Sequence, residues 1–458
     1  MGADYSKTPM PRIAEFGTIR RRMDGFAKNA LLLFIALRVG DFVNVAAGMW
    51  FVPRYVSPED IGAVLPISSF ATFLSLPMFA FAMTVMKESA CLSAVGERGK
   101  VKALLRGVFL AVAALLVIVL VASAVTVPHF LKAMRVSDAS VGLLVVSAAF
   151  LGCAAPVYTD ALQSLKRFRA LAAVEVGGAI VRFLVMLLVM PLRALAGYFA
   201  GQAALPAFRM AGSVFALRKD LSVPPEPYWN RDSVRRIAIA FLAIIVYQGV
   251  PMAASLVEQS ILRTELSAMD SAGYYMVSRF SDFLHYLTFP LLLVMFPYTA
   301  AAAQREGSTR PFVLKCAVVT LALAAFMVGI YCFFGKEFLS LMPHGSDYDT
   351  YVCYMPWLVV MTALTTCQVF YTNAEVSAGR FGFLVWLVPL HIIYPAALYL
   401  ASTFGFVTDL STLLFWFIGA SVLRFAFAVA GNWRAPSHMV QSKVAATAIQ
   451  SQWPQSEL

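Results

Sequence analysis

Ionisable side chains lie in the middle of several long apolar segments of this sequence. Five are arginines, and four others could pair with them or carry a proton: Arg38, Arg182, Arg209, Arg279 and Arg424, with Asp41, Glu175, Asp282 and His285. A guanidinium is always charged, and its planar fork binds phosphate or carboxylate through two parallel hydrogen bonds. The arginines therefore predict recognition of an anion, and the other four predict charge tuning or ion coupling.

Helical spacing would bring some of these charges together, because residues three or four apart share a helix face. Three groups have suitable spacing: Arg38 with Asp41, Arg279 with Asp282 and His285, and Glu175 with Arg182 two turns away. Such groups either tie helices together as salt bridges or line a polar cavity. Their depth and their spread over several helices favour the cavity.

Arg209 and Arg424 have no acidic neighbour at helical spacing, and each lies in the middle of its apolar segment, the sixth and the twelfth, which are counterparts in the two halves. They indicate an anion close to each guanidinium, which is either a carboxylate distant in the sequence or a phosphate-bearing substrate. Pairing across helices or snorkelling is the alternative. His285 and His391 could each move a proton, although a hydrogen-bonded structural histidine is the commoner case.

Motifs for bond-breaking chemistry are missing from the sequence. It contains no Walker A loop, no His-Glu-x-x-His, no Gly-x-Ser-x-Gly and no Cys/His cluster with metal-ligand spacing. We therefore expect no enzyme activity, no cofactor and no metal. A membrane glycan polymerase or ligase is the remaining enzymatic alternative, but the short outer loops argue against it.

The apolar composition shows which elements must hold these charges. Hydrophobic residues make up 60% of the 458 residues and charged residues 13%, against about 45–50% and 25% in soluble domains. A membrane span needs about 20 mostly apolar residues. Twelve segments qualify, at 27–52, 62–86, 103–127, 140–163, 171–190, 194–217, 237–261, 272–297, 312–335, 351–373, 381–402 and 409–431. The sequence therefore predicts an all-α polytopic membrane protein.

The basic residues support this division into spans and explain the net charge of +11. With the N-terminus inside, about 25 lysines and arginines fall on the cytoplasmic side and six on the outer side, as the positive-inside rule expects. Both termini are therefore predicted to be cytoplasmic. Because topology accounts for the charge, nucleic acid is not an expected partner.

The predicted domains are two bundles joined by a linker. The N-terminal segment covers 1–26, the first six-helix bundle 27–217, the cytoplasmic linker 218–236, the second six-helix bundle 237–431, and a disordered cytoplasmic tail 432–458. The halves resemble each other at an offset of 210 residues, since Ser57 and Asp60 match Ser267 and Asp270. An even number of spans per half gives parallel repeats, as in several transporter folds.

Several of these motifs resemble bacterial polysaccharide export proteins, the Wzx-type O-antigen flippases of the multidrug/oligosaccharidyl-lipid/polysaccharide exporter superfamily. The resemblance covers about residues 25–430. It depends on the order and spacing of the stretches Tyr55–Gly62 and Ser271–Tyr275 and the dipeptides Phe289–Pro290 and Phe296–Pro297.

The resemblance implies a multi-pass protein of the bacterial inner membrane that flips undecaprenyl-pyrophosphate-linked glycan to the outer leaflet by alternating access. Its implied partners are the lipid-linked oligosaccharide, membrane lipids, a coupling proton or sodium ion, and the polysaccharide polymerase and glycosyltransferases. The five arginines would line the central cleft. Because one fold can serve many substrates, a multidrug or metabolite cation antiporter is the alternative.

Overall fold

The computed structural model describes residues 34–94, 96–165, 167–219, 222–304, 309–378 and 380–434. These residues form helices joined by short turns, and no strand occurs among them. The predicted N-terminal segment at 1–26 and the predicted tail beyond residue 434 lie outside the described residues.

Twelve long helices follow one another, and each overlaps one of the predicted spans. They are α1 (Phe34–Tyr55), α2 (Pro58–Ala94), α3 (Arg98–Ala133), α4 (Ala139–Ser164), α5 (Phe168–Val189), α6 (Ala194–Leu217), α7 (Arg231–Glu265), α8 (Ala268–Gln304), α9 (Arg310–Ser340), α10 (Met355–Ser377), α11 (Leu384–Thr403) and α12 (Leu410–Arg434). A π-helical turn, Ala47–Phe51, interrupts α1, and a 3-10 segment, Gly345–Tyr354, precedes α10.

Length and apolar composition make most of these helices able to cross a membrane. Eight of the described helices are long and apolar enough, and a ninth, α3, qualifies when its two bent parts count as one span. The others, α6, α7 and α8, do not meet the same standard over their described residues. The prediction of an all-α polytopic membrane protein is confirmed.

The first of two compact units ends at Ala272 and, among the described residues, begins at Phe34. Within it α2 packs on α4 and α7, and α6 packs on α4 and α5. A buried core that includes Leu104, Val157, Leu217 and Ile237 joins α3, α4, α6 and α7. Helix α7, assigned by sequence to the second half, thus packs along α2 here. The arrangement of two six-helix bundles related as parallel repeats stays a prediction.

The second unit begins at Gly273 and, among the described residues, ends at Arg434. Its helix α10 packs on α9 and α12, and the 3-10 segment packs on α9. Helix α8 joins this group through Tyr331, whose hydroxyl donates to the carbonyl of Phe280 at 3.2 Å. Gly273 leaves room for a ring, since a Cβ there would lie 2.6 Å from Tyr351.

The repeated Ser-x-x-Asp motifs form the same structure in both places. Ser57 Oγ donates to Asp60 Oδ2 at 3.1 Å and accepts from the Asp60 backbone N–H at 3.2 Å. Ser267 and Asp270 make the same two hydrogen bonds at 2.7 and 3.0 Å. Each serine thereby caps the first turn of a long helix. The two motifs at this offset therefore form the same local structure.

The predicted linker packs against the end of α2 and the start of α3 in the first unit. Lys102 Nζ donates to the carbonyl of Val223 at 2.8 Å, and the backbone N–H of Glu226 donates to the carbonyl of Gly99 at 3.2 Å. These contacts hold the proline-rich stretch along the start of α3.

Two aromatic side chains complete this docking. Tyr228 donates to Glu88 Oε2 at 2.9 Å, and Trp229 Nε1 donates to the carbonyl of Ala103 at 3.0 Å. The indole lies against Gly107, where a Cβ would clash with it. We call residues 222–229 the strap, because they connect the end of α2 and the start of α3 to the start of α7.

Candidate functional site

The first intramembrane charge pair lies within α1. Arg38 Nη1 is 2.9 Å from Asp41 Oδ2, and both side chains are about a quarter exposed. The guanidinium carbon also lies 5.1 Å from the centre of the Phe34 ring. The spacing predicted this pair, and an aromatic face adds a cation–π contact.

The same arrangement recurs in α8 of the second unit. Arg279 Nη1 is 3.0 Å from Asp282 Oδ2, and its guanidinium carbon lies 4.9 Å from the centre of the Tyr275 ring. His285 follows on the same helix and its ring centre is 6.0 Å from that of Phe289. Each unit therefore carries an Arg–Asp pair beside an aromatic ring.

Glu175 of α5 forms its ion pair with Arg209 of α6. The sequence analysis placed Glu175 on one face with Arg182 and left a distant carboxylate open for Arg209. Arg182, which is 6% exposed, instead donates to the side-chain oxygen of Asn44 on α1. A carboxylate on a neighbouring helix is thus a partner of Arg209, as one of the two alternatives expected.

Glycines explain why Glu175 and Arg209 meet. A Cβ on Gly177 would lie 2.5 Å from Phe208 Cε1, and one on Gly178 would lie 3.1 Å from Leu205 Cδ1. Small residues let two helix backbones approach closely inside a membrane. The close contact of α5 with α6 thus places the guanidinium beside the carboxylate.

A second carboxylate lies near this pair. Asp160 of α4 is half-buried and interacts electrostatically with Glu175. We call Asp160, Glu175 and Arg209 the Glu175 cluster. Two carboxylates beside one guanidinium can hold an extra cation or proton, and they also lower the affinity of Arg209 for an external anion.

In the second unit Arg424 and His391 lie close together. Arg424 is 9% exposed, and its guanidinium carbon lies 5.1 Å from the centre of the Tyr394 ring. His391 is 4% exposed, and its Nδ1 lies 2.9 Å from the carbonyl of Leu387. The hydrogen-bonded structural role considered for His391 agrees with this geometry.

The sequence analysis did not identify two charged residues, Arg380 and Arg263, as site candidates. Arg380 Nη2 lies 2.9 Å from Glu375 Oε1 and 3.3 Å from Thr309 Oγ1, so it joins the end of α10 to the start of α9. The sequence placed Arg380 in a loop. Its five-residue separation from Glu375 lies outside the usual helical pair spacing, so no local signal was available.

Arg263 at the end of α7 is the second case, because it is 2% exposed although the sequence placed it in an outer loop. Its Nε donates to the carbonyl of Met134 at 3.1 Å. A Cβ on Gly62 would lie 3.3 Å from Nη1, so the glycine leaves space for the guanidinium. Asp60 and Glu59 add favourable electrostatic interactions.

A cavity of about 200 Å³ lies between α8 and α10 in the second unit. Its polar lining consists of His285, Thr288, Thr362, Thr365 and Thr366, and its wall includes the ring of Phe289. We call this space the threonine cavity. The sequence analysis singled out His285 alone, since threonines in an apolar helix carry no distinctive signal.

The five predicted arginines divide between the units. Arg38, Arg182 and Arg209 belong to the first unit, and Arg279 and Arg424 belong to the second. Within the described ranges, no group of three or more His, Cys, Asp or Glu side chains could hold a metal ion. A common cleft lined by all five arginines stays a prediction.

Comparison with known proteins identifies the fold. No protein-family model matches the sequence, and no curated protein matches it at a significant level. Solved structures do match. A multidrug resistance MATE family transporter of the MOP superfamily, in an inward-facing conformation, has 13% identity and a TM-score of 0.65, covering 91% of this chain and 96% of its own.

Two further structures show the functional range of this fold. A MOP superfamily transporter from Pyrococcus furiosus, described as having a binding pocket of reversed polarity, gives a TM-score of 0.64 at 11% identity over 93% of this chain and 96% of that one. The lipid II flippase MurJ, in an inward closed conformation, has a TM-score of 0.60 at 12% identity and covers 88% of this chain and 87% of its own. The chain is therefore a multi-pass membrane protein with the fold that these transporters and this flippase share.

Proposed function

We propose that this protein is a lipid-linked oligosaccharide flippase of the bacterial inner membrane, with both termini in the cytoplasm. It moves undecaprenyl-pyrophosphate-linked glycan from the cytoplasmic to the outer leaflet by alternating access. Glycosyltransferases would supply the substrate, and a polysaccharide polymerase would consume it. The fold is compatible with this activity, since a lipid II flippase shares it.

The arginines at membrane depth in both units carry this proposal. Arg38, Arg182 and Arg209 lie in helices of the first unit, and Arg279 and Arg424 lie in helices of the second. Guanidinium groups stay charged under all physiological conditions and suit the two phosphates of a pyrophosphate. A pathway built for organic cations would be penalised by the same positive charges.

A cation antiporter of the same fold is the second candidate, because carboxylates accompany three of these arginines. Arg38, Arg209 and Arg279 pair with Asp41, Glu175 and Asp282. In that case the arginines serve as internal salt bridges, and the acidic partners serve coupling or cation binding.

The deciding experiment measures surface glycan in a host that lacks its own polysaccharide flippase. Restored glycan with the unsubstituted protein, lost in Arg424→Gln at equal abundance in the membrane, supports the flippase. Lys132→Ala is a matched control, since this cation lies exposed at the end of α3. Resistance to cationic drugs without any restored glycan, tested with several glycan types, would favour the antiporter.

A further inference from the structure

The threonine cavity has the size and lining of a subsite for one ring. Its volume of about 200 Å³ is smaller than the roughly 300–1,000 Å³ of pockets that enclose a whole small molecule. A ligand of several rings can therefore place only one of them there.

Two facing stripes of side chains form the cavity. His285, Thr288 and Phe289 are three and four residues apart on α8, and Thr362, Thr365 and Thr366 have the same spacing on α10. Residues at these spacings share a helix face. Both helices therefore present hydroxyl groups beside apolar side chains to the cavity.

The hydroxyls keep acceptor capacity for a ligand. Thr288 Oγ1 donates to the carbonyl of Leu284 at 2.8 Å, and Thr365 Oγ1 lies 3.5 Å from Ser421 Oγ. A hydroxyl that donates once still has two lone pairs. The cavity can therefore receive O–H groups, while the imidazole of His285 can donate or accept.

The charge of the lining excludes strongly ionic ligands. Among the described residues that line this cavity there is no Asp, Glu, Lys or Arg. Burying an ion without an opposite charge or a full set of hydrogen bonds is costly. An organic cation would lack a carboxylate here, and a phosphate would lack a guanidinium. An uncharged ring with hydroxyl edges and apolar faces matches both the polar groups and the Phe289 wall.

The place of the cavity along α8 agrees with a phosphate-bearing glycan. Arg279 precedes His285 by six residues, which is about 9 Å along a helix axis. Resting on the flippase function proposed above, we infer that the threonine cavity binds an uncharged sugar ring of the lipid-linked glycan, whose pyrophosphate interacts with Arg279.

The test uses the full-length Thr366→Cys protein in lipid nanodiscs, and restoration of surface glycan is measured separately with the unsubstituted chain. A small neutral maleimide labels the new thiol, and peptide mass spectrometry reads labelling at each cysteine separately. Native Cys353 is exposed and lies before α10, so it is an internal control. The probes are undecaprenyl-pyrophosphate-linked glycan from the restored host, undecaprenyl pyrophosphate without sugar, and tetraphenylphosphonium.

The inference predicts that only the glycosylated probe protects position 366, with labelling about tenfold slower at ten times its Kd and Cys353 unchanged. Equal protection by unglycosylated undecaprenyl pyrophosphate, protection by tetraphenylphosphonium, or no protection by any probe overturns it. If the unsubstituted chain restores surface glycan, any of these three results overturns only the assignment of the cavity, and the proposed flippase function is still supported. Failure to restore glycan with the unsubstituted chain instead removes the proposed function itself.

Discussion

Arg209 on α6 and Glu175 on α5 form an ion pair that joins two helices of the first unit. Glu175 is 12% exposed and Arg209 33% exposed, so removing one partner leaves a poorly solvated charge. The pair therefore has a structural role, and a substitution at Arg209 alone confounds that role with anion binding.

A double substitution separates the two roles. Arg209→Gln should lower the free energy of unfolding by about 1–3 kcal/mol, because the Glu175 carboxylate loses its partner. Adding Glu175→Gln should recover most of this loss, since two amides can hydrogen-bond to each other. The thermal midpoint in detergent measures stability, and surface glycan measures transport. If Arg209 binds the substrate anion, the stable double variant stays inactive; full transport by it would limit Arg209 to a structural role.

Which contacts the sequence could predict depends on how local they are. Arg38 with Asp41 and Arg279 with Asp282 form at the predicted spacing, because a single helix determines the geometry. To predict the pair of Glu175 with Arg209, one would have to know that α5 and α6 pack closely. The helices that are long and apolar enough to cross a membrane were predictable for the same local reason, since a continuous apolar stretch determines each of them.

The contacts of the linker, by contrast, could not be predicted from the sequence. Its docking depends on Trp229 contacting Gly107 and Ala103 on another helix. Arg263 is similar, since its burial requires the space left at Gly62. Such tertiary contacts leave no periodic signal in the sequence.

The strap should stabilise the packing of the end of α2 and the start of α3 in the first unit. Trp229→Ala removes the hydrogen bond to Ala103 and the contact with Gly107, so we expect a loss of about 1–3 kcal/mol, reduced by the partial exposure of the indole. Limited proteolysis near residues 222–229 should become faster. Trp357→Ala is the control, because this tryptophan is 55% exposed; equal proteolysis of both variants would contradict a docked strap.

Arg263 should matter more for stability than an exposed basic residue nearby. Arg263→Ala removes the hydrogen bond to Met134 and leaves a cavity among buried groups, so we expect a loss of about 2–4 kcal/mol. Lys132→Ala, at an exposed position, should change the free energy of unfolding by less than about 0.5 kcal/mol. Denaturant unfolding in mixed micelles compares the two, and similar midpoints would refute the buried role of Arg263.

Two aspartates that cap helices should give an acid-dependent stability. Asp138 accepts from the Ser140 backbone N–H at 2.9 Å, and Asp409 accepts from that of Thr412 at 2.8 Å. The hydrogen bonds from Ser140 and Thr412 lower the pKa of these carboxyls below the usual 3.8. A lowered folded-state pKa gives stability that is present above the unfolded-state pKa and lost as pH falls through the folded-state value.

The thermal midpoint of the unsubstituted protein should therefore fall below about pH 4. Each cap contributes roughly 0.5–1 kcal/mol. Asparagine also caps helices but does not titrate there. Asp138→Asn with Asp409→Asn should reduce the acid-dependent loss, while the midpoint at pH 7 changes little. An unchanged acid slope in the double variant would show that other carboxyls control it.

The packing of α5 on α6 should be sensitive to a single methyl group. At Gly177 a Cβ would lie 2.5 Å from the Phe208 ring, so Gly177→Ala must push α6 away or force the ring to move. We expect a loss of about 1–3 kcal/mol from overpacking, which outweighs the gain of about 1 kcal/mol in helix propensity.

Gly152 in α4 is the matched control for this substitution, since nothing lies within 4 Å of a Cβ built there. Gly152→Ala should be neutral or stabilising by up to about 1 kcal/mol. Thermal midpoints of the two variants give the comparison. Because the same displacement of α6 would separate Arg209 from Glu175, Gly177→Ala should also remove the stability difference between Arg209→Gln and its parent. If Gly177→Ala behaves like Gly152→Ala, close packing does not hold the ion pair together.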